Sequence, residues 1–359
     1  MRTEQPGGGT TEHPGPRERS LLTPEGTRLA LTEGTLTLER SLPLRLGGRI
    51  PDCRIDYRLL GAPDAPVVAV MGGISADRRV CAVPGSGEEP GWWEVLVGEG
   101  RGLDLAHWQV LSIDYLAGPG GSSAPRSDDP AAITALTPGD QADALRAVAD
   151  HLDLPTMHTV MGASYGGAVA LTFAADHADR TRSALVIGAA HRSHPMATAV
   201  RSVQRRIVAE ARADGRARAG LALARALAMT TYRSQEEFQQ RFDSDPVTGP
   251  AGPCFPVEDY LDHQGRVFAE RFDPLDFLVL NLSMDLHRID PHAVRAPVTL
   301  VAMEPDAIAP LWQMRELFDQ LGPGHELIEV RTSCGHDGFL TDVEVFDPLI
   351  RRFLERAHG

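Results

Sequence analysis

The groups best placed to do chemistry in this 359-residue chain are a serine, an acid and a histidine. The segment Val160-Met161-Gly162-Ala163-Ser164-Tyr165-Gly166-Gly167 runs from an apolar strand pattern into a glycine-flanked serine and then into the helical pattern Ala168–Ala175. This G-x-S-x-G spacing suits a nucleophile elbow. The serine sits on a sharp strand-to-helix turn, and glycines stand where a Cβ would collide with strand or helix. The plainer alternative is a glycine-rich turn with an incidental serine. A serine hydroxyl is a weak nucleophile at neutral pH, so the chemical reading requires a base and a carboxylate to orient that base. His336, in Gly335-His336-Asp337-Gly338-Phe339, is the candidate base. Asp306, in Glu304-Pro305-Asp306-Ala307-Ile308, is the first candidate acid, with Glu304 as its rival. The tetrahedral oxyanion formed by such a serine needs two backbone N–H donors. One is expected from Tyr165, the other from the glycine loop Met71-Gly72-Gly73-Ile74-Ser75, with Gly72 the first choice.

These groups need a scaffold that brings loops from distant parts of the chain to one edge. Short apolar runs at Val67–Met71, Val110–Tyr115, Thr159–Met161, Ala184–Ile187 and Val298–Val301 fit strands buried on both faces. A last strand is expected near Glu326–Arg331. Helical patterns separate the strands, among them Pro138–Leu152 with Thr137 as its cap. The alternation predicts a doubly wound, mostly parallel α/β sheet. The order serine, acid, histidine, each after a strand, is that of the α/β-hydrolase fold. Residues 195–292 are mostly helical in pattern and read as a lid inserted into a core of residues 35–194 and 293–359. Leu42–Leu46 and Cys53–Leu59, around Gly47-Gly48, suggest an antiparallel hairpin. Residues 1–34 read as a disordered tail. Its beginning, rich in Gly, Pro and Thr, lacks the apolar core of a secretory signal.

Composition removes several function classes. The net charge of −14 argues against general nucleic-acid binding. No apolar run is long enough to span a membrane. The chain has no lysine, which excludes a Walker P-loop, a Schiff-base lysine and covalent pyridoxal phosphate. The four cysteines are widely spaced and suit reduced thiols in a cytoplasm. No metal-ligand spacing occurs, so no metal is expected. His191 and His194 sit in a polar loop and read as local hydrogen-bonding groups before pocket residues.

Other motifs then make the pattern specific. The elbow, Gly335–Leu340, Met229-Thr230-Thr231-Tyr232-Arg233-Ser234, Arg271-Phe272-Asp273-Pro274, Ser283-Met284-Asp285 and Gly91-Trp92-Trp93 occur in order along the chain. Together they resemble the homoserine O-acyltransferase family of methionine biosynthesis, over about residues 40–357. Gly72–Arg78 and Ala190–Pro195 look like the branch that uses a succinyl donor. The resemblance implies succinyl-CoA as co-substrate with no permanently bound cofactor, an acyl-serine on Ser164, and transfer to the hydroxyl of L-homoserine. It implies a Ser164–His336–Asp306 triad, Arg225 on the acceptor carboxylate, Asp337 on its amine, Tyr232 in the same pocket, and a homodimer.

Residue chemistry agrees with part of this. A zwitterionic amino acid needs one fixed cation and one fixed anion. A succinyl donor adds a carboxylate, which calls for an extra arginine; Arg201 and Arg205 share one helix face. The resemblance implies that this helix borders the acyl pocket, which makes Arg201 the expected partner, and that Gly72, Gly73, Ile74 and Ser75 shape the acyl site. Seven arginines between 201 and 225 also suit CoA phosphates, or an ordinary solvated helix. Two departures from the acetyl-using pattern are Tyr165, where methionine is usual, and the Gly118–Ser123 loop, which lacks the usual cysteine and arginine. Rival readings are another acyl donor or acceptor (acetyl-CoA, serine), an ester hydrolase, and a non-catalytic binding protein.

Overall fold

The computed structural model describes residues 17–23, 26–127, 132–249 and 252–358. Its main sheet has strands β1 (Arg17–Leu22), β2 (Arg28–Thr37), β3 (Arg54–Gly61), β4 (Val67–Met71), β5 (Gln109–Ile113), β6 (Met157–Ala163), β7 (Thr181–Ile187), β8 (Val298–Glu304) and β9 (Glu326–Arg331). Their order across the sheet is β1-β2-β3-β5-β4-β6-β7-β8-β9. The pairings from β1 to β5 are antiparallel. The pairings from β5 across to β9 are parallel. This is an α/β-hydrolase sheet with an antiparallel margin.

The strands explain their own sequences. In β4, Val67, Ala69 and Met71 face one core and Val68 and Val70 face the other, so every residue is apolar. The first core is covered by α1 (Pro138–His151) and α2 (Tyr165–Asp176). Thr137 caps α1 as expected: its hydroxyl accepts from Asp140 N, and the Asp140 carboxylate accepts from Thr137 N at 2.7 Å. Between β7 and β8 the chain leaves the sheet for α3 (Pro195–Ala213), α4 (Ala217–Tyr232), α5 (Gln235–Arg241), α6 (Pro256–Arg271) and α7 (Pro274–Leu286). Helix α4 lies against both α3 and α6. Then α8 (Leu311–Leu321) links β8 to β9. Finally α9 (Val343–His358) buries Phe346, Leu349, Ile350 and Phe353, spaced for one helix face, on the second core. Among the described residues no helix is long and apolar enough to cross a membrane.

Two expectations are corrected. The tail expected over 1–34 contains β1 and most of β2 from Arg17 onward. Leu29 and Leu31 alternate with the less buried Arg28, Ala30 and Thr32 and are buried in the second core, which ties this margin to the sheet. Residues 1–16 lie outside the described residues. The hairpin expected between Leu42–Leu46 and Cys53–Leu59 is also different. Gly47 and Gly48, both at positive φ, turn a two-residue ribbon in which Leu42–Pro43 pairs with Arg49–Ile50. Strand β3 instead pairs with β2. A two-residue ribbon cannot bury the inward face of β3, and the longer β2 can.

Candidate active site

The elbow forms because β6 ends against the start of α2 with no room for side chains at its glycines. A Cβ on Gly162 would lie 1.9 Å from Gly166 O, and one on Gly166 would lie 2.0 Å from Met71 O. Between them Ser164 holds φ 54° and ψ −119°, a backbone state that costs a non-glycine residue about 1–3 kcal/mol. The Ser164 N–H donates to Ile187 O at 2.8 Å, which fixes the turn to β7. Strain and anchoring together leave the half-buried hydroxyl standing clear of the backbone.

Ser164 Oγ donates to His336 Nε2 at 2.7 Å, and His336 Nδ1–H donates to Asp306 Oδ2 at 2.7 Å. The other oxygen, Asp306 Oδ1, accepts from Ile308 N at 2.7 Å and Ala309 N at 3.0 Å. The acid is therefore rigid, buried and fully engaged. Its rival Glu304 is exposed. The ring of His336 is buried, which by itself favours the neutral form. The Asp306 carboxylate outweighs this and holds the imidazole above its ordinary value of 6.5. The histidine loop is held by the inserted helices. A Cβ on Gly335, at φ +64°, would meet Ser234 N at 2.7 Å, and Ser234 Oγ donates to Ser333 O. Ser234 also caps α5. The Tyr232-Arg233-Ser234 motif is thus the seam where the insertion grips the histidine loop.

Ser164 lines two cavities. The first, about 130 Å³, is bordered by Gly73, Trp92, Arg225, Tyr232, His336 and Asp337. The Arg225 guanidinium lies over the Tyr232 ring at 5.1 Å and the Phe268 ring at 4.9 Å. Its Nε is buried with no hydrogen-bond partner among the described residues. Asp337 is 7% exposed, and burial lifts its carboxyl above the usual carboxylate range, against the pull of Arg233. Arg233 Nε lies 3.1 Å from Asp337 Oδ2, off the hydrogen-bonding direction, while its NH1 donates to Glu237 Oε1 at 3.0 Å. Tyr232 stands 6.0 Å from the His336 ring. The motif spacing, without the geometry, gave no sign that Arg233 would face Asp337.

The second cavity, about 60 Å³, has mostly apolar walls, among them Ala168, Ala189, Met284 and Ile308, with Arg201 and Gln313 on its border. Arg201 is 8% exposed, and its Nε donates to Asp285 Oδ1 at 2.7 Å. It also donates to Ser193 Oγ. Arg205 NH1 reaches the other oxygen of Asp285 at 2.6 Å. The shared helix face of Arg201 and Arg205 is real, but it meets a carboxylate on α7. Two guanidiniums against one carboxylate leave a net positive charge beside the cavity. Elsewhere in the arginine run, Arg216 pairs with Asp214, and Arg218 donates to Ala269 O. His194 accepts from Met196 N at the start of α3 and His191 accepts from Arg192 Nε, so both fill local roles.

Gly73, Ile74 and Ser75 border the first cavity together with Arg225 and Asp337, and not the second cavity beside Arg201. Gly72 is packed behind them, where a Cβ would meet Ala76 Cβ at 2.5 Å and the Trp92 ring at 2.7 Å.

Comparison with known proteins places this geometry. A sequence model of the α/β-hydrolase fold matches residues 80–343. Homoserine O-succinyltransferase of Xanthomonas campestris pv. campestris is 41% identical over 310 residues, covering 86% of this chain and 81% of that one. L-serine/homoserine O-acetyltransferase of Streptomyces lavendulae is 33% identical over 363 residues, covering 88% and 96%. The crystal structure of homoserine O-acetyltransferase from Staphylococcus aureus matches with a TM-score of 0.75 and 26% identity, covering 90% of this chain and 95% of that one. The chain belongs to the homoserine O-acyltransferase family, acyltransferases built on the α/β-hydrolase fold.

Proposed function

We propose that this enzyme transfers a succinyl group from succinyl-CoA to the side-chain hydroxyl of L-homoserine, through an acyl-serine on Ser164. The observation that carries the proposal is the position of Ser164 between two chemically different cavities. One offers both a cation and an anion, Arg225 and Asp337, as an amino-acid zwitterion needs. The other is small and mostly apolar, with net positive charge at Arg201 and Arg205. In the first half-reaction His336 takes the Ser164 proton, the serine oxygen attacks the thioester carbonyl, and CoA leaves as the thiol. In the second, His336 takes the proton of the homoserine hydroxyl, which attacks the acyl-serine and releases Ser164. The N–H of Tyr165 and the Gly72–Gly73 segment hold the oxyanion in both. Seating the acceptor on Arg225, Asp337 and Tyr232 favours transfer over hydrolysis by raising its effective concentration at the acyl group.

The reading carries with it a place in methionine biosynthesis, a cytoplasmic setting and CoA as a co-substrate. It also carries a homodimer, for which exposed Val203, Leu223 and Val267 on α3, α4 and α6 offer apolar surface. One observation favours a second reading, in which the donor is acetyl-CoA: Arg201 is already paired with Asp285. Intact-protein mass spectrometry after mixing with both acyl-CoAs, without acceptor, distinguishes them. The mass of a succinyl group on Ser164, removed on adding homoserine, is the expected result. An acetyl adduct alone overturns the donor assignment.

The base also sets a pH dependence. His336 must be neutral to accept the serine proton, and Asp306 raises the pH at which it becomes so. The acylation rate of the wild type should therefore rise with pH along a limb centred above 6.5, the ordinary histidine value. In Asp306→Asn that limb should move to lower pH while the plateau falls, because the tautomer is no longer held. A limb that stays in place in the variant would remove Asp306 from this role.

A further inference from the structure

Tyr115 follows β5 and is 1% exposed. Its hydroxyl donates to Gly72 O at 2.7 Å, and Gly166 N donates to the same oxygen at 2.9 Å. Both acceptor sites of that carbonyl are thus occupied from the protein interior. In a trans peptide the C=O of one residue and the N–H of the next point in opposite directions. Pinning Gly72 O inward therefore turns the Gly73 N–H outward, toward the cavity that Gly73 borders with Ser164. A Cβ on Gly73 would meet nothing within 4 Å, as expected of a residue at the open edge. The Tyr115 ring packs edge-on against Tyr165 at 5.0 Å. Tyr165 supplies the other N–H beside the nucleophile, and its own hydroxyl shares a 2.8 Å hydrogen bond with Ser283 on α7.

We infer that Tyr115 is a positioning residue for oxyanion stabilisation: its hydroxyl sets the Gly72–Gly73 peptide so that Gly73 N–H, and not Gly72 N–H, is the second donor. The inference rests on Ser164 acting as a nucleophile, and it adds a residue that neither motif nor spacing marks. Burial pushes the Tyr115 phenol well above its usual range, so it stays protonated and keeps donating. Among the described residues the hydroxyl bonds to Gly72 O, the carbonyl of the peptide whose N–H belongs to Gly73.

The test is Tyr115→Phe, which keeps the ring and removes only the donor. Losing an oxyanion donor outright costs about a hundredfold or more, so loosening one should slow acylation of Ser164 roughly tenfold. The affinity of a boronic acid that forms a tetrahedral adduct on the serine should fall by the same factor. The affinities for homoserine and for CoA, which make no oxyanion, should not move. Unchanged acylation and boronate affinity would overturn the inference, as would an equal loss of homoserine and CoA affinity, which marks general damage. A wild type that binds the boronate yet forms no acyl-serine from acyl-CoA would sink the transferase reading instead. The boronate comparison would still decide Tyr115.

Discussion

Ser164→Ala should reduce CoA release from succinyl-CoA and homoserine by at least about ten-thousandfold, the scale seen when a triad nucleophile is removed. The hydroxyl is the group proposed to carry the acyl chain, and its hydrogen bond to His336 is short and direct at 2.7 Å. Alanine at 164 must still adopt the φ of 54°, so the elbow should keep its shape and the fold its stability. Thiol release, followed with a thiol reagent, measures the effect; circular dichroism checks the fold. The double variant Ser164→Ala/His336→Ala should be scarcely worse than Ser164→Ala, because the two residues act as a unit. Activity within tenfold of wild type in Ser164→Ala would take the serine out of the chemistry.

The elements around Ser164 were legible because burial writes itself into sequence. A strand covered on both faces, such as β4, is apolar throughout, and a glycine pressed against backbone, such as Gly166, admits no other residue. The order of Ser164, Asp306 and His336 could be read for the same reason: each follows a recognisable strand. What escaped reading depends on pairings between distant segments. Whether β3 pairs with β2 or with Leu42–Leu46 turns on which partner buries Tyr57 and Ile55, and local alternation is the same in both cases. Asp285 gathering Arg201 and Arg205, 84 and 80 residues away, and Arg233 facing Asp337 across a loop seam, are contacts between distant segments. No helical periodicity encodes them. The oxyanion loop shows a finer limit. Two adjacent glycines mark the place, but which N–H faces the serine is decided by Tyr115, a residue 43 positions away.

Arg225→Met should separate the two half-reactions. Methionine keeps most of the side chain's packing between Tyr232 and Phe268 and removes the guanidinium. Acylation of Ser164 by the donor should stay within a few-fold of wild type, because the arginine borders the other cavity. The second half-reaction should suffer: kcat/KM for homoserine is expected to fall roughly 100- to 1000-fold, since a desolvated charge-assisted pair is worth about 2–5 kcal/mol. The reason lies in the site before substrate arrives. The guanidinium is stacked on two rings and its buried Nε has no partner among the described residues, so it is held in place with unsatisfied donor capacity. A carboxylate entering the cavity finds that geometry already formed and bears little of the ordering cost. An acceptor without a carboxylate, 3-aminopropan-1-ol, should react slowly and equally in wild type and variant, because it never used the arginine. Asp337→Asn should give the complementary result, weakening homoserine through its amine while burial no longer penalises a charge at 337. If Arg225→Met instead slowed acylation and acceptor transfer alike, the arginine would be shaping the site as a whole. If 3-aminopropan-1-ol lost as much rate as homoserine, the carboxylate would have to be bound elsewhere, and the charges of the second cavity, at Arg201 and Arg205, would be the place to look.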